Sequence, residues 1–143
     1  MARMPKKRPG QKVDKKGRSV GEPKHVRLYE WMLASQAYQS LSVTARAALV
    51  ELNRVHNGVN NGEVAMAVRS LASRLGVHKT TANRALWELQ EKGFIKVAQP
   101  GSFDWKQNMA TTYILTQYAA NDLPATKDFM HWKSSPEEKS RSH

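Results

Sequence analysis

Apolar residues in the first half of the chain recur at the spacing of amphipathic helices. Ser42 is a good N-cap residue, and Ala45, Leu49, Leu52 and Val55 would then share one face of a helix that ends by the turn Asn57-Gly58. An earlier apolar cluster within residues 28–41 predicts a short helix or turn packed on the domain. This half of the chain therefore contributes mainly helix.

The pattern changes period after residue 62. Residues 63–68 alternate as in a short strand, and Leu71, Ala72 and Leu75 mark a helix of about two turns closed by Gly76. The next helix ends at Lys92-Gly93, and residues 94–98 and 109–116 form two strands joined by a polar loop, 99–108. Four apolar residues line this helix at i, i+3, i+4 and i+7: Ala82, Ala85, Leu86 and Leu89. The predicted fold class is α+β, mainly α, with a three-helix core and a small antiparallel sheet.

Composition divides the chain into three parts. Residues 1–24 contain nine Lys or Arg and two acidic residues, so they carry +7 of the formal net charge of +11. They also contain three Pro and three Gly without apolar periodicity, which predicts a disordered basic arm. Residues 25–133 form the predicted domain with its N-terminal helical extension, and residues 134–143 a disordered tail. So high a positive charge needs an anionic partner.

Several classes of function find no support in the sequence. There is no cysteine, and the five His have no spacing typical of a metal site. No phosphate-binding glycine motif or catalytic constellation is visible, so we expect no enzyme, no cofactor and no small-molecule ligand. The first residues lack the apolar run of a secretory signal, and no run is long enough to span a membrane. A cytoplasmic protein without a membrane partner is the expectation.

One stretch combines two helices, a tight turn and a following strand in a specific spacing. Ala72 lies four residues before Gly76, Ala82 follows six residues after it, and the stretch ends in Glu91-Lys92-Gly93-Phe94-Ile95. Over residues 42–116 this resembles the winged helix-turn-helix family of bacterial DNA-binding proteins. The resemblance implies a nucleoid-associated transcriptional regulator that binds double-stranded DNA and reads the major groove with the helix at residues 79–92.

The candidate DNA-binding residues follow from this resemblance and from a helical wheel. Thr80, Arg84, Trp87 and Glu91 fall opposite the apolar face, while Lys79 and Asn83 flank them. Thr, Asn, Arg and Lys can all bond phosphates or base edges. His78 stands at the N-cap, where the family often has Ser or Thr, and the arm and the loop add further cations. The predicted contact residues are His78, Lys79, Thr80, Thr81, Asn83, Arg84, Trp87, Lys106, Arg3, Lys6, Lys7 and Arg8.

Two other functions stay open on the sequence. The segment before the domain, which includes Trp31-Met32-Leu33-Ala34-Ser35, is also similar to replication-initiator and phage-type winged-helix proteins, which implies control of replication or of a mobile element. The single loop cation, Lys106, and the outward Trp87 favour instead a protein-interaction module with a nucleic-acid-binding tail. Because residues 117–133 contain Pro124 and little periodicity, a homodimer would have to form through residues 28–41.

Overall fold

The computed structural model describes residues 12–13, 19–20, 23–104 and 107–135, with side chains for 23–101 and 109–135. This part of the chain is mixed α+β and mainly helical, as the sequence predicts. Its elements in chain order are β1 (Lys12–Val13), β2 (Ser19–Val20), α1 (Glu30–Leu33), α2 (Gln36–Ser40), α3 (Val43–Val55), β3 (Val64–Ala65), α4 (Val68–Leu75), α5 (Lys79–Glu91), β4 (Ile95–Gln99), β5 (Ser102–Asp104), β6 (Gln107–Met109), β7 (Thr112–Leu115) and a 3₁₀ turn (Asp128–Met130).

Helices α3, α4 and α5 pack on one another and enclose the core. Helix α3 begins where predicted, because the Ser42 hydroxyl accepts a hydrogen bond from the Ala45 N–H at 3.1 Å. Of its predicted apolar face, Ala45, Leu49 and Leu52 are buried and Val55 is half-buried. The short helices α1 and α2 also pack on the domain, since Met32, Ala37 and Leu41 are buried. This confirms the predicted role of that segment.

The main sheet is antiparallel and has the strand order β3-β7-β4. Val64 pairs with Tyr113 and Ile95 with Leu115, and the register of β4 shifts between Val97 and Gln99. Two sequence expectations were wrong in extent. The strand expected at 63–68 covers only two residues, because Val68 already belongs to α4, and the expected loop at 99–108 contains β5 paired with β6. In the arm, which was expected to be disordered, β1 and β2 form an antiparallel pair.

The two core helices α4 and α5 end in the same way. Gly76 and Gly93 have φ of +66° and +84°, in the left-handed region that glycine adopts without strain. The amide N–H of the following residue donates back to the last turn in both: Val77 to the Ala72 carbonyl and Phe94 to the Leu89 carbonyl. Both helix ends predicted from glycine are therefore confirmed to within one residue.

A stack of aromatic rings joins both flanks of the chain to the core. Tyr29, Trp31, Phe129 and Phe94 follow one another with ring centroids 5.3, 5.9 and 4.7 Å apart and nearly parallel planes. Phe129 comes from the 3₁₀ turn and is only 1% exposed. The segment after β7, in which the sequence shows little pattern, is thus an integral part of the core.

Candidate nucleic-acid interface

Helix α5 divides into a buried face and an exposed face as the helical wheel predicts. Ala82, Ala85, Leu86 and Leu89 are buried against the other helices. The opposite side presents Thr80, Asn83, Arg84 and Trp87 to solvent, and the Trp87 side chain is 63% exposed. Among the remaining predicted residues of this helix, Lys79 is exposed and Thr81 is half-buried. The structure therefore brings four polar residues and one large aromatic ring onto one exposed strip of α5, which consists of Lys79, Thr80, Asn83, Arg84 and Trp87.

The start of α5 is fixed by His78. Its Nδ1 accepts a hydrogen bond from the Thr80 backbone N–H at 3.3 Å, and the Thr80 hydroxyl lies 3.2 Å from the same nitrogen. A ring that accepts at Nδ1 carries its proton on Nε2. His78 is exposed, so Nε2–H can donate to an anion beside the first turn of α5.

The cations on α4 and α5 and at the end of α5 differ in burial and in their partners. Arg84, Lys79 and Arg69 form no ion pair with any other described residue. Arg69, in the first turn of α4, was not among the predicted contacts, because it lies outside α5 and before Ala72, where the helix-turn-helix pattern begins. Lys92 is the opposite case: it is buried, and its ammonium donates to the Ser40 carbonyl at 2.9 Å and to Glu88 at 3.2 Å. Lys92 therefore stabilises the fold and is not available to a ligand.

Glu88 lies on α5 but points away from the exposed strip. The Ser42 N–H donates to Oε1 at 2.9 Å, and the Ser42 hydroxyl donates to Oε2 at 2.6 Å. In a capping box the N-cap N–H donates to the side chain of the third residue of the same helix, which in α3 is Ala45 and has no acceptor there. Glu88 provides this acceptor from another helix. Glu88 therefore joins α5 to the start of α3.

The environment of Glu88 also sets its charge. Burial by itself raises the pKa of this carboxyl, but the hydrogen bonds from Ser42 and the nearby Lys92 ammonium outweigh it, and the pKa lies below its ordinary value of 4.5. Glu88 is ionised near neutral pH, and this negative charge is held between α3 and α5. The exposed strip of α5 keeps only Glu91, at its C-terminal end, as an acidic residue.

A stability measurement against pH checks the role of Glu88. A lowered pKa in the folded state stabilises the fold above pH 4.5, and this contribution is lost as the pH falls through the folded pKa. We expect the difference in free energy of unfolding between wild type and Glu88→Gln to be present at pH 7 and to shrink towards zero in acid. Glu91→Gln removes the same charge from an exposed site of α5 and should leave the pH profile unchanged. A constant difference for Glu88→Gln over the whole pH range would contradict this assignment.

The remaining predicted contacts lie outside the described residues. These are Lys106 and the arm residues Arg3, Lys6, Lys7 and Arg8. The side chains of Phe103 and Trp105 lie outside them too. The described site therefore consists of residues from α5 and its N-cap, with Arg69 of α4 as an additional exposed cation.

Comparisons with known proteins return nothing for this chain: no family model matches it, and no curated protein or solved structure matches it significantly. Within the described residues, no group of three or more His, Asp or Glu is placed to hold a metal ion. None of the helices described is both long and apolar enough to cross a membrane.

Proposed function

We propose that this protein binds duplex DNA through a winged helix-turn-helix domain in which α5 enters the major groove. The order of elements supports the proposal. The elements follow one another as in that fold: helix α3, strand β3, the helices α4 and α5, and the antiparallel strands β4 and β7. The further pair β5 and β6 extends the hairpin as a wing.

The exposed strip of α5 is the observation on which the proposal rests. Asn83 and Arg84 are the residue types that bond adenine and guanine with two hydrogen bonds each, and Thr80 and Lys79 suit phosphate or base contacts. All four are exposed, and none is part of the core. His78 adds a donor at the N-terminal end, where the helix dipole also favours an anion.

The proposed biological role is transcriptional regulation without enzymatic activity. A regulator commonly binds a palindromic site as a dimer. Met32, Ala37 and Leu41 are buried within their own domain, so a homodimer formed through residues 28–41 would use the exposed side chains of Leu28 and Trp31. Mapping of bound DNA in cells tests the role, because enrichment at promoters supports regulation and enrichment at a replication origin contradicts it.

A protein-interaction module is the second candidate, and Trp87 favours it. A tryptophan that is 63% exposed in the middle of a helix face is typical of residues that anchor protein interfaces. The same ring could also contact thymine methyl groups or sugars in a groove. The two candidates differ in what Asn83 and Arg84 do.

Single and double substitutions at Asn83 and Arg84 separate the two candidates. The preferred duplex is first selected from random sequences with the wild-type protein. If α5 reads bases, at least one of Asn83→Ala and Arg84→Ala should weaken binding to that duplex by about 1–3 kcal/mol, and less on a scrambled duplex. The folding of both variants should stay near wild type, because both side chains are exposed.

Arg54→Ala is the matched control. Arg54 is an exposed arginine on α3 that pairs with Glu51 at 2.9 Å, so its loss removes the same charge from another helix. We expect Arg54→Ala to reduce binding to both duplexes to a similar, small extent. If the folded Asn83→Ala/Arg84→Ala double variant binds both duplexes like wild type, α5 does not read DNA. The protein-interaction module then becomes the preferred function.

A further inference from the structure

A cleft separate from the exposed strip of α5 opens at the C-terminal end of α3. Its volume is about 630 Å³, within the usual range for small-molecule sites. Three parts of the chain form it: the segment 23–29, the end of α3 with the turn after it, and Tyr118 beyond β7. The cleft therefore lies between the start of the described domain and its core.

Aromatic rings and amides occupy the side of the cleft formed by the core. The His56 ring stacks on Tyr118 with centroids 4.3 Å apart and planes 10° from parallel. Tyr29 meets Tyr118 edge-on at 6.3 Å. Asn53 and Asn57 add polar groups, and the Asn57 side-chain oxygen Oδ1 already accepts hydrogen bonds from the Val59 and Asn60 N–H groups. This surface suits a flat ring that also forms hydrogen bonds.

The segment 23–29 contributes positive charge. Lys24 and Arg27 line the cleft together with His25, and none of the described lining residues is Asp or Glu. Neither Lys24 nor Arg27 pairs with a described carboxylate. An anionic group in the cleft would therefore meet two cations without competition from a lining carboxylate.

His56 is the titratable ring at the core side of the cleft. Burial lowers the pKa of His56, so its ring is neutral near pH 7 and can accept as well as donate. His56 therefore adds a donor and an acceptor that a heteroaromatic ring can use.

We propose that this cleft binds a nucleotide, with the base against His56 and Tyr118 and the phosphate on Lys24 and Arg27. The aromatic surface, together with two cations that pair with no described carboxylate, defines the ligand class: an aromatic heterocycle that carries a phosphate. A free nucleotide and the terminal nucleotide of a single strand share this chemistry. The site does not include α5, so it is independent of the proposed reading of duplex DNA.

Calorimetric titration of the full chain tests the proposal. The probes are AMP, ATP, adenosine, inorganic phosphate and a short single-stranded oligonucleotide. We expect AMP or ATP to bind more tightly than adenosine or phosphate alone, because only the nucleotide uses both parts of the cleft. Binding of the oligonucleotide without free nucleotide would assign the site to a strand end and support the shared chemistry. No saturation by AMP, ATP or the oligonucleotide up to millimolar concentration, or equal binding of phosphate alone, would overturn the proposal.

Variants locate the binding. Arg27→Ala should weaken nucleotide binding about tenfold, as expected for the loss of one charge-assisted hydrogen bond. Arg69→Ala removes an exposed arginine from α4 and should have no effect, and neither should the Asn83→Ala/Arg84→Ala double variant. Arg27 is exposed, so its replacement should not unfold the protein. Tyr118→Leu should reduce binding of AMP but not of inorganic phosphate. Equal affinities of wild type and Arg27→Ala would place the nucleotide elsewhere and overturn the site.

Discussion

Replacing Phe129 by alanine is expected to lower the free energy of unfolding by about 3–5 kcal/mol, the usual cost of removing a buried aromatic ring. Phe129 is 1% exposed and lies between the rings of Phe94, at 4.7 Å, and Trp31, at 5.9 Å. Its removal opens a cavity and also breaks the stack that joins α1 to the core. The loss should therefore fall in the upper part of the range for core substitutions.

Urea unfolding followed by circular dichroism measures this loss. Met130→Ala is the control, because Met130 follows Phe129 in the same turn and its side chain is 47% exposed. It should change stability by less than about 0.5 kcal/mol. Trp31 should also become more accessible to a fluorescence quencher in Phe129→Ala. Similar small losses for both variants would show that the segment after β7 contributes little to the core.

The helices could be predicted from sequence because each has its own local pattern. The face of α5 repeats at i, i+3, i+4 and i+7, Ser42 caps α3, and Gly76 ends α4, so no distant residue is needed to locate them. The strands were harder to delimit. Val68 continues the alternation of β3, yet it begins α4. A single apolar residue fits the two-residue period of a strand as well as the 3.6-residue period of a helix.

The contacts that the sequence did not reveal are long-range and have no local signature. Phe129 is a single aromatic residue in an irregular segment, and nothing in its neighbourhood indicates that it meets Phe94. Glu88 and Ser42 are 46 residues apart, so their cap between helices has no spacing that a pattern can show. The cleft combines residues 23–29 with α3 and Tyr118, and composition gave no sign of it.

The candidate interface could be predicted from the sequence only in part. The exposed positions of Thr80, Asn83, Arg84 and Trp87 follow from the wheel, because a helix with one buried face must expose the opposite one. The cap by His78 follows only from the structure, in which Nδ1 meets the Thr80 N–H. Which cations are buried and paired was likewise not predictable, as the contrast between Lys92 and the exposed Arg84 shows.

The second large effect is expected for Gly93→Ala, and Gly76→Ala is its matched control. Both glycines end a helix with positive φ and the same pair of backbone hydrogen bonds. An alanine in the left-handed region costs about 1–2 kcal/mol at either site. The surroundings differ: a Cβ at Gly76 meets no atom within 4 Å, whereas at Gly93 it lies 2.8 Å from the Asp128 carbonyl carbon and the Phe129 nitrogen.

This close approach involves backbone atoms, which cannot rotate away as a side chain can. The segment that carries Phe129 must shift, and Lys96 holds it through Asp128 at 2.9 Å. We therefore expect Gly93→Ala to lower the free energy of unfolding by about 1–3 kcal/mol more than Gly76→Ala does. Urea unfolding of both variants measures the difference. In a Phe129→Ala background the extra loss should shrink, because neighbouring sites are not additive and the turn is already loosened. If Gly93→Ala and Gly76→Ala lower the free energy of unfolding by the same amount, only the backbone conformation matters. The 3₁₀ turn that carries Phe129 then does not press against the end of α5.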